Sequence, residues 1–348
     1  MVPAPLADRL RHQIGETGPI SVSSFIESAL YDPEHGFYAT GGEAGRRGDF
    51  LTAAEVGPLF GAVIARALDS WWMAEGMPTP FTVVEYGAGP GTLVRSVLAA
   101  EPRCLTSGAL AWTMVEWSEA QRNRHIEHPS VSSATELTDD ADGADVVLAN
   151  EFLDNLPFDI VECAGDHWCE VLVELGEEQQ FVARAGRPVD PGTDRADAPL
   201  GSRLPVQTAA REWVAEMHRR HPAARVVVFD YCASTPELLA RGEGWLRTFR
   251  DHGGSGHWLD DPGSRDITTD VDLDQLQADH QAASVRTQAD FLRAHGVAEL
   301  VEEGRAAWVS GAHVGDLAAL KGRSRIREAE TLLAADGMGA FSVVEWLT

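Results

Sequence analysis

The sequence predicts a doubly wound α/β fold, an open and mainly parallel sheet with helices on both faces. Three observations predict it. Four short Val-rich runs, "FTVVEYG", "AWTMVEW", "ADVVLANEF" and "ARVVVFDY", are each bounded by turn residues, the pattern of strands buried on both faces. Helix-length segments separate runs of this kind, as a parallel sheet requires. The first run opens directly onto a glycine turn, "VVEYGAGPGTL". The chain has 348 residues, of which 44% are hydrophobic, enough for one large α/β domain with insertions or for two modest domains.

The elements follow in order. Residues 1–76 read as an N-terminal helical extension and cofactor-covering segment. In "GPISVSSFIESALYDPEHGFY", Ile20 stands beside the start of a helix whose apolar positions are Phe25, Ile26 and Leu30, and Asp32-Pro33 ends it. A glycine-rich loop, "ATGGEAGRRGDFLTAAE", leads into "PLFGAVIARALDSWWMAEG". There Leu59, Val63, Ala67 and Trp71 recur at helical spacing between Pro58 and Gly76. Residues 77–160 read as a Rossmann-like cofactor-binding core: strand Phe81–Glu85, the glycine turn, then a helix from near Thr92. Residues 161–222 read as an inserted hairpin and helix. "DIVECAGDHWCEVLVELGEEQQFVARAG" alternates as an antiparallel hairpin grafted onto the sheet, and "QTAAREWVAEMHRRHP" is the helix returning to strand "ARVVVFDY". Residues 223–348 complete the core. They include a polar, aromatic loop at 245–272, a helix start at "TTDVDL" with Asp270 or Asp272 either capping it or reaching the substrate, a helix ending at Gly296, and a closing strand "GAFSVVEWLT" that pairs near "VVVFDY".

Composition excludes several functions. A formal charge of −26 opposes the basic face that phosphate contacts need, so no nucleic acid is expected, whereas a basic partner is compatible. No apolar run approaches the roughly 18–20 residues of a membrane span, and the N-terminus lacks a signal-peptide core; a cytoplasmic protein is expected. Cys104, Cys163, Cys169 and Cys232 stand apart without CxxC spacing, and the histidines form no HExxH, so neither a metal nor a disulfide framework is expected.

The glycine spacing selects the ligand. A dinucleotide turn is G-x-G-x-x-G, seating a pyrophosphate on the helix N-terminus, whereas Gly87, Gly89 and Gly91 follow G-x-G-x-G with Glu85 two residues before. That is the form usual for S-adenosyl-L-methionine, with no phosphate to accommodate. Glu85 is placed to hold the methionine ammonium through water, and Glu116, ending the next strand in "MVEWS", to accept bonds from both ribose hydroxyls. At the third strand end, "LANEFLDNLPFD" offers Asn150, Glu151 and Asp154 as catalytic candidates where a nucleophile would meet the methyl group; Asn150 or Asp154 as a helix cap is the alternative.

Taken together, "YDPEHGFY", "GDFLTAAEVGPLFG", "VVEYGAGPGTL", "ANEFLDNLPFDIVE", "VVVFDY" and "WLRTFRDHGGSGHWLDDPGSRDITTDVDLDQL" resemble, in family order, the MidA-like methyltransferases. Mitochondrial members of that family assist assembly of respiratory complex I by methylating an arginine of one subunit. The resemblance implies a seven-stranded class I methyltransferase sheet with an N-terminal helical extension and an inserted substrate-binding region. It also implies cofactor positions at Gly87, Gly89, Gly91 and Glu116, and a segment closing over the cofactor at Asp49, Phe50 and Thr52. Two departures touch substrate choice: the family's GPGRG loop lacks its arginine here, and its TSPEIS segment is Thr52-Ala53-Ala54-Glu55-Val56-Gly57.

Sulfonium methyl transfer is an in-line displacement that depends on alignment and exclusion of water. An arginine nitrogen is a poor nucleophile, and carboxylates gripping the guanidinium would orient it and localise its charge. Glu151, helped by Asp154 or Asp230, suits that role. The 245–272 segment reads as a substrate-facing loop rather than a metal site built from Asp251, His252, His257, Asp260 and Asp261, and His252 is either a general base or a surface histidine. Three functions follow: a protein arginine methyltransferase, a methyltransferase acting on a small biosynthetic molecule, and a non-catalytic assembly factor retaining the fold.

Overall fold

A computed structural model describes residues 5–40, 51–137, 143–190, 198–250, 253–254, 256–313 and 317–348. Its centre is a seven-stranded sheet in the spatial order Ser284–Thr287, Ser342–Leu347, Arg225–Asp230, Val146–Asn150, Phe81–Tyr86, Leu110–Val115 and Val131–Ala134. Ser342–Leu347 runs antiparallel to both neighbours and the pairings from Arg225–Asp230 to Val131–Ala134 are parallel. The Val-rich runs are thus the inner strands, and the closing strand pairs with "VVVFDY" as its sequence suggests. The chain passes from Phe81–Tyr86 outward on one side and returns to Val146–Asn150 on the other. The order therefore reverses between these two strands, and an open α/β sheet binds its ligand at such a reversal, outside the carboxyl ends.

Helices cover both faces because each presents one apolar stripe. Pro58–Ala74 and Thr92–Ala99 bury Leu59, Val63, Ala67, Val94 and Val97 on one face. Thr208–Arg220 buries Ala210, Val214 and Met217 on the other. A C-terminal hairpin of Val297–Gly311 and Leu317–Leu332 packs against Pro58–Ala74. Its helices cross at backbone distance, for a Cβ on Gly322 would stand 2.3 Å from the Gly304 carbonyl oxygen.

The inserted hairpin departs from the sequence expectation. It does not join the central sheet; it builds a second, five-stranded one. Trp168–Leu175 pairs with Phe181–Val189, Asp159–Cys163 and Ile20–Ser21, and Asp159–Cys163 pairs in turn with Arg203–Val206. Val171 and Val173 alternate on one buried side, joined by Trp168 across the irregularity between Cys169 and Val171, which leaves an apolar sheet face needing cover. Helices Leu6–Thr17 and Val22–Tyr31 provide it, sharing a core of Phe25, Ile26, Leu30, Phe158 and Trp245. The 245–272 segment is also more ordered than a loop: Leu246–Arg250 pairs antiparallel with Asp266–Thr269. Asp272 caps the short helix Leu273–Leu276 through the Asp274 and Gln275 N–H groups. Asp270 is buried and ion-paired to Arg241 and Arg247. Asp251 and His252 lie outside the described residues.

Candidate functional site

Strand Phe81–Tyr86 ends at a turn that only glycine adopts without strain. Gly87, Gly89 and Gly91 have φ of 63°, 52° and 76°, in the left-handed region that a Cβ disfavours. Space excludes a side chain as well: a Cβ at Gly87 would stand 2.6 Å from Cδ2 of Phe152, and one at Gly91 3.0 Å from Sδ of Met114. At Gly89 nothing lies within 4 Å of that position, so the main chain there is open to a ligand. The turn is braced from outside. The His125 imidazole bonds the Gly89 carbonyl at 2.8 Å and the Ser133 hydroxyl at 2.7 Å, and Arg95 donates to the Pro90 carbonyl at 2.7 Å.

Two acids flank the turn. Glu85 is buried, and the Trp112 indole N–H donates to its Oε2 at 3.0 Å. Burial raises its pKa to about 8 against the indole bond, and the Glu116 charge adds to the rise. Glu116 accepts the Gly89 N–H on Oε2 and the Ser118 N–H on Oε1, both at 2.8 Å. Burial moves its pKa upward despite those bonds. The Trp117 N–H bonds it as well, and since a carboxylate offers about four lone-pair sites, acceptor capacity remains for a ligand hydroxyl.

The raised Glu85 has a testable consequence. Between about 4.5 and about 8 the folded chain holds a proton that the unfolded chain has lost, so raising pH across this window favours unfolding. Urea titrations of the ligand-free protein should show stability falling as pH rises through it. Glu151 and Asp266, also raised by burial, contribute to the same fall, so Glu85→Gln should make it shallower by one group's share; a slope equal to wild type would show that Glu85 is not a buried acid of raised pKa.

The third strand end carries the reactive candidates. Glu151 follows Val146–Asn150 with φ of 49°, in a conformation that costs a non-glycine residue roughly 1–3 kcal/mol. That twist turns its carboxylate toward the chain's N-terminal part, where Oε1 accepts the Ala53 N–H at 2.7 Å and the Asn150 amide at 3.3 Å. The Tyr231 hydroxyl also bonds it. Burial raises its pKa to about 8, and the Asp154 charge adds to the effect.

More carboxylates gather behind it. Asp266 accepts the Tyr38 hydroxyl at 3.0 Å and the Asn155 amide at 2.9 Å, and burial lifts its pKa to about 7. Asp154, also raised by burial, to about 6, accepts the Thr268 hydroxyl at 2.6 Å. Asp230 accepts the N–H groups of Leu153 and Phe152 on one oxygen, at 2.9 and 3.2 Å, and that of Tyr231 on the other, at 2.8 Å. Among the described residues none of Glu151, Asp154, Asp230 and Asp266 is ion-paired. Of these only Glu151 lines the cavity, and a cation brought beside it would meet a buried acid that has hydrogen-bond donors but no ion pair, with further acids behind it.

One cavity joins these parts. It encloses about 470 Å³, within the range of roughly 300–1,000 Å³ usual for small-molecule sites. Its wall includes Glu85, Gly87, Gly89, Glu116, Asn150, Glu151 and Thr52. Gly91 lies behind the wall as the N-cap of Thr92–Ala99. Asp154 is not in the wall: its carboxylate turns away to Thr268, because the turn Leu153–Asn155 directs it into the protein. Asp230, engaged by the backbone N–H groups of Phe152, Leu153, Asp154 and Tyr231, shapes that turn and is not free to grip a ligand. Asp49 and Phe50 lie outside the described residues.

The wall also holds residues that sequence reasoning missed. Tyr31 and Tyr38 stack at 5.6 Å beside Trp117. Their sequence signal was present, since both belong to "YDPEHGFY". On the other side Tyr86, Phe152 and Trp213 pack edge to face or tilted within 6.3 Å. Together with Leu137 and Met217 they make an apolar arm suited to a flat ring.

This cavity lies at the sheet's order reversal, and the glycines of its turn follow G-x-G-x-G rather than the dinucleotide spacing. The model of a family of S-adenosyl-L-methionine-dependent methyltransferases matches residues 63–290, from the Pro58–Ala74 helix past the 245–272 segment. The chain belongs to this methyltransferase family. A crystal structure of a COG1565 superfamily member from Burkholderia thailandensis, bound to S-adenosyl-homocysteine, superposes with a TM-score of 0.83 at 26% identity, covering 100% of this chain and 95% of that one. The mitochondrial protein arginine methyltransferase NDUFAF7 homolog of Drosophila melanogaster is 29% identical over 77% of this chain and 68% of its own length. NDUFAF7 of Mus musculus is 28% identical over 84% and 74%.

The methyltransferase has the class I fold, and its cofactor is S-adenosyl-L-methionine. The residues present fit that group: an open main chain at Gly89, a carboxylate with acceptor capacity at Glu116, and an apolar arm in one cavity. When bound, the cofactor supplies an electrophilic methyl group on sulfur. The chain's own contribution is to orient an acceptor and exclude water. Among the described residues no helix is long and apolar enough to cross a membrane.

Proposed function

We propose that this methyltransferase transfers methyl to an arginine nitrogen of a protein. The observation that carries the reading is Glu151: a buried carboxylate in the cavity wall, fixed by Ala53, Asn150 and Tyr231, with no cation partner among the described residues. A guanidinium is planar and permanently charged, and a carboxylate grips it with two parallel bonds. Held so, one nitrogen is presented and its charge is drawn toward the gripped side. Asn150 adds an acceptor, since its buried Oδ1 has no partner among the described residues. The arginine methyltransferases named above support the same acceptor, as does a net charge of −26 facing a basic target.

In this reading Gly87 and Gly89 let the cofactor lie against the main chain, and Gly91 behind them allows the turn into the following helix. Glu116 accepts the ribose hydroxyls, Glu85 faces the ammonium through water, and Thr52 lines the wall beside them. The cytoplasmic location belongs to the proposal only as a sequence expectation, for the relatives compared are named mitochondrial.

The test is incubation of the protein with methyl-labelled S-adenosyl-L-methionine and a lysate of its host. The expected result is label in a protein band that yields methylarginine on hydrolysis. Label confined to small molecules would overturn the reading in favour of a biosynthetic methyltransferase, and no label in either would leave an assembly factor that keeps the fold.

A further inference from the structure

A buried carboxylate stands on the far side of the segment that holds Glu151. Glu328, on the Leu317–Leu332 helix, is 2% exposed. Its Oε2 accepts the Leu59 N–H at 2.8 Å, in the first turn of Pro58–Ala74, and its Oε1 accepts the Ser324 hydroxyl at 2.5 Å. First-turn N–H groups have no partner within their helix and form its positive end, so an acid is stabilised there. The fit is tight: a Cβ on Gly57 would stand 2.2 Å from Cδ of Glu328. Between Gly57 and the cavity lies only the short helix Ala53–Val56, and the Ala53 N–H is the donor to Glu151.

We propose that Glu328 is a positioning residue for methyl transfer, anchoring the start of the Pro58–Ala74 helix so that the Ala53–Val56 turn delivers its first N–H to Glu151. The proposal rests on the reading of Glu151 as the carboxylate that holds the acceptor. Ala53 and Val56 are packed in the core independently of any bond to Glu328, so loss of Glu328 is expected to shift the turn rather than unfold the chain. A small shift suffices, because misplacement by about 1 Å at a site of group transfer can cost roughly a hundredfold in rate. The groups facing Glu151 are Asn150 and Tyr231, which bond it, the acids Asp154 and Asp230, which oppose its charge, and Arg247, stacked on the Tyr231 ring. Removing the Ala53 donor leaves the opposing acids in place, so the Glu151 titration moves to higher pH.

The experiment follows the Ala53 amide by NMR in the full-length protein as pH is raised. In wild type its shift should track Glu151 with a midpoint at about 8. Glu328→Ala should move that midpoint upward or abolish the titration. It should also lower kcat at saturating cofactor by roughly tenfold, with S-adenosyl-homocysteine affinity unchanged. Glu328→Gln keeps an acceptor for Leu59 and should restore both. Should Glu328→Ala fail to fold, Gly57→Ala displaces the same carboxylate and should give the same movement. An Ala53 midpoint that stays at the wild-type value in Glu328→Ala and in Gly57→Ala, or a midpoint or rate that Glu328→Gln does not restore, overturns the proposal. If the midpoint moves as described while Glu151→Gln methylates at the wild-type rate, the anchoring stands and the role given to Glu151 fails.

Discussion

Glu151→Gln should lose methyl transfer by a factor on the order of 10²–10³, the scale of removing one preorganised electrostatic contact, and should still bind S-adenosyl-homocysteine as wild type does. The substitution is nearly isosteric, and its carbonyl can still accept the Ala53 N–H that Glu151 accepts at 2.7 Å, so the wall keeps its shape. What disappears is the charge and the second acceptor oxygen, which are the parts a guanidinium uses. The pH profile separates this account from a general loss of structure. Burial holds the Glu151 pKa at about 8, so kcat/KM of wild type, which reports the free enzyme, should rise with pH through that value at saturating cofactor. A bound guanidinium favours the ionised acid, so the corresponding limb of kcat should lie at lower pH. The Gln variant should lack the limb altogether. A Gln variant with wild-type rate, or one that retains the limb, would remove Glu151 from the mechanism.

The site was legible in the sequence where its signals are local. Buried parallel strands announce themselves as Val runs, three glycines at alternate positions need no distant information, and Glu85, Glu116 and Asn150-Glu151 stand at successive strand ends. The switch in strand order then brings them to one cavity without further instruction. What the sequence hid depends on residues far apart along the chain. Tyr38 meets Asp266, and Asn155 meets the same carboxylate, through a turn and a strand whose pairing no periodicity shows. The second sheet was misplaced for a related reason: alternation in Trp168–Leu175 reveals one apolar face but not its cover, and Ile20–Ser21 is too short to read as a strand. Asp154 illustrates the limit for single side chains. Its position after the strand end suggests chemistry, yet the direction of a tight turn points it at Thr268. The anchoring role inferred for Glu328 was equally invisible, since a helix 269 residues beyond Leu59 supplies the acceptor.

Asp230 should prove indispensable to the fold rather than to the acceptor. It is fully buried at the end of its central strand, and the donors around it are backbone N–H groups of Leu153, Phe152, Tyr231 and, at 3.4 Å, Asp154. Burial and the charges of Asp154 and Glu151 push its pKa upward, but N–H donors directed at both oxygens favour the ionised form, for a protonated oxygen would confront a donor with a donor. Asp230→Ala leaves these N–H groups buried without partners, at about 1–3 kcal/mol for each unsatisfied group, partly offset by relief of the buried charge. Asp230→Asn is the sharper test because its size is unchanged: its carbonyl can serve one side, while its NH₂ must face an N–H on the other. Urea unfolding should therefore find both variants less stable than wild type, by roughly 2–5 kcal/mol for Ala and by a smaller but clear margin for Asn. Since the same oxygen organises the turn after Glu151, a partly folded Asn variant should also lose activity without loss of cofactor affinity. An Asn variant as stable as wild type would mean that Asp230 is protonated in the folded protein, with its proton given to an acceptor on the neighbouring turn.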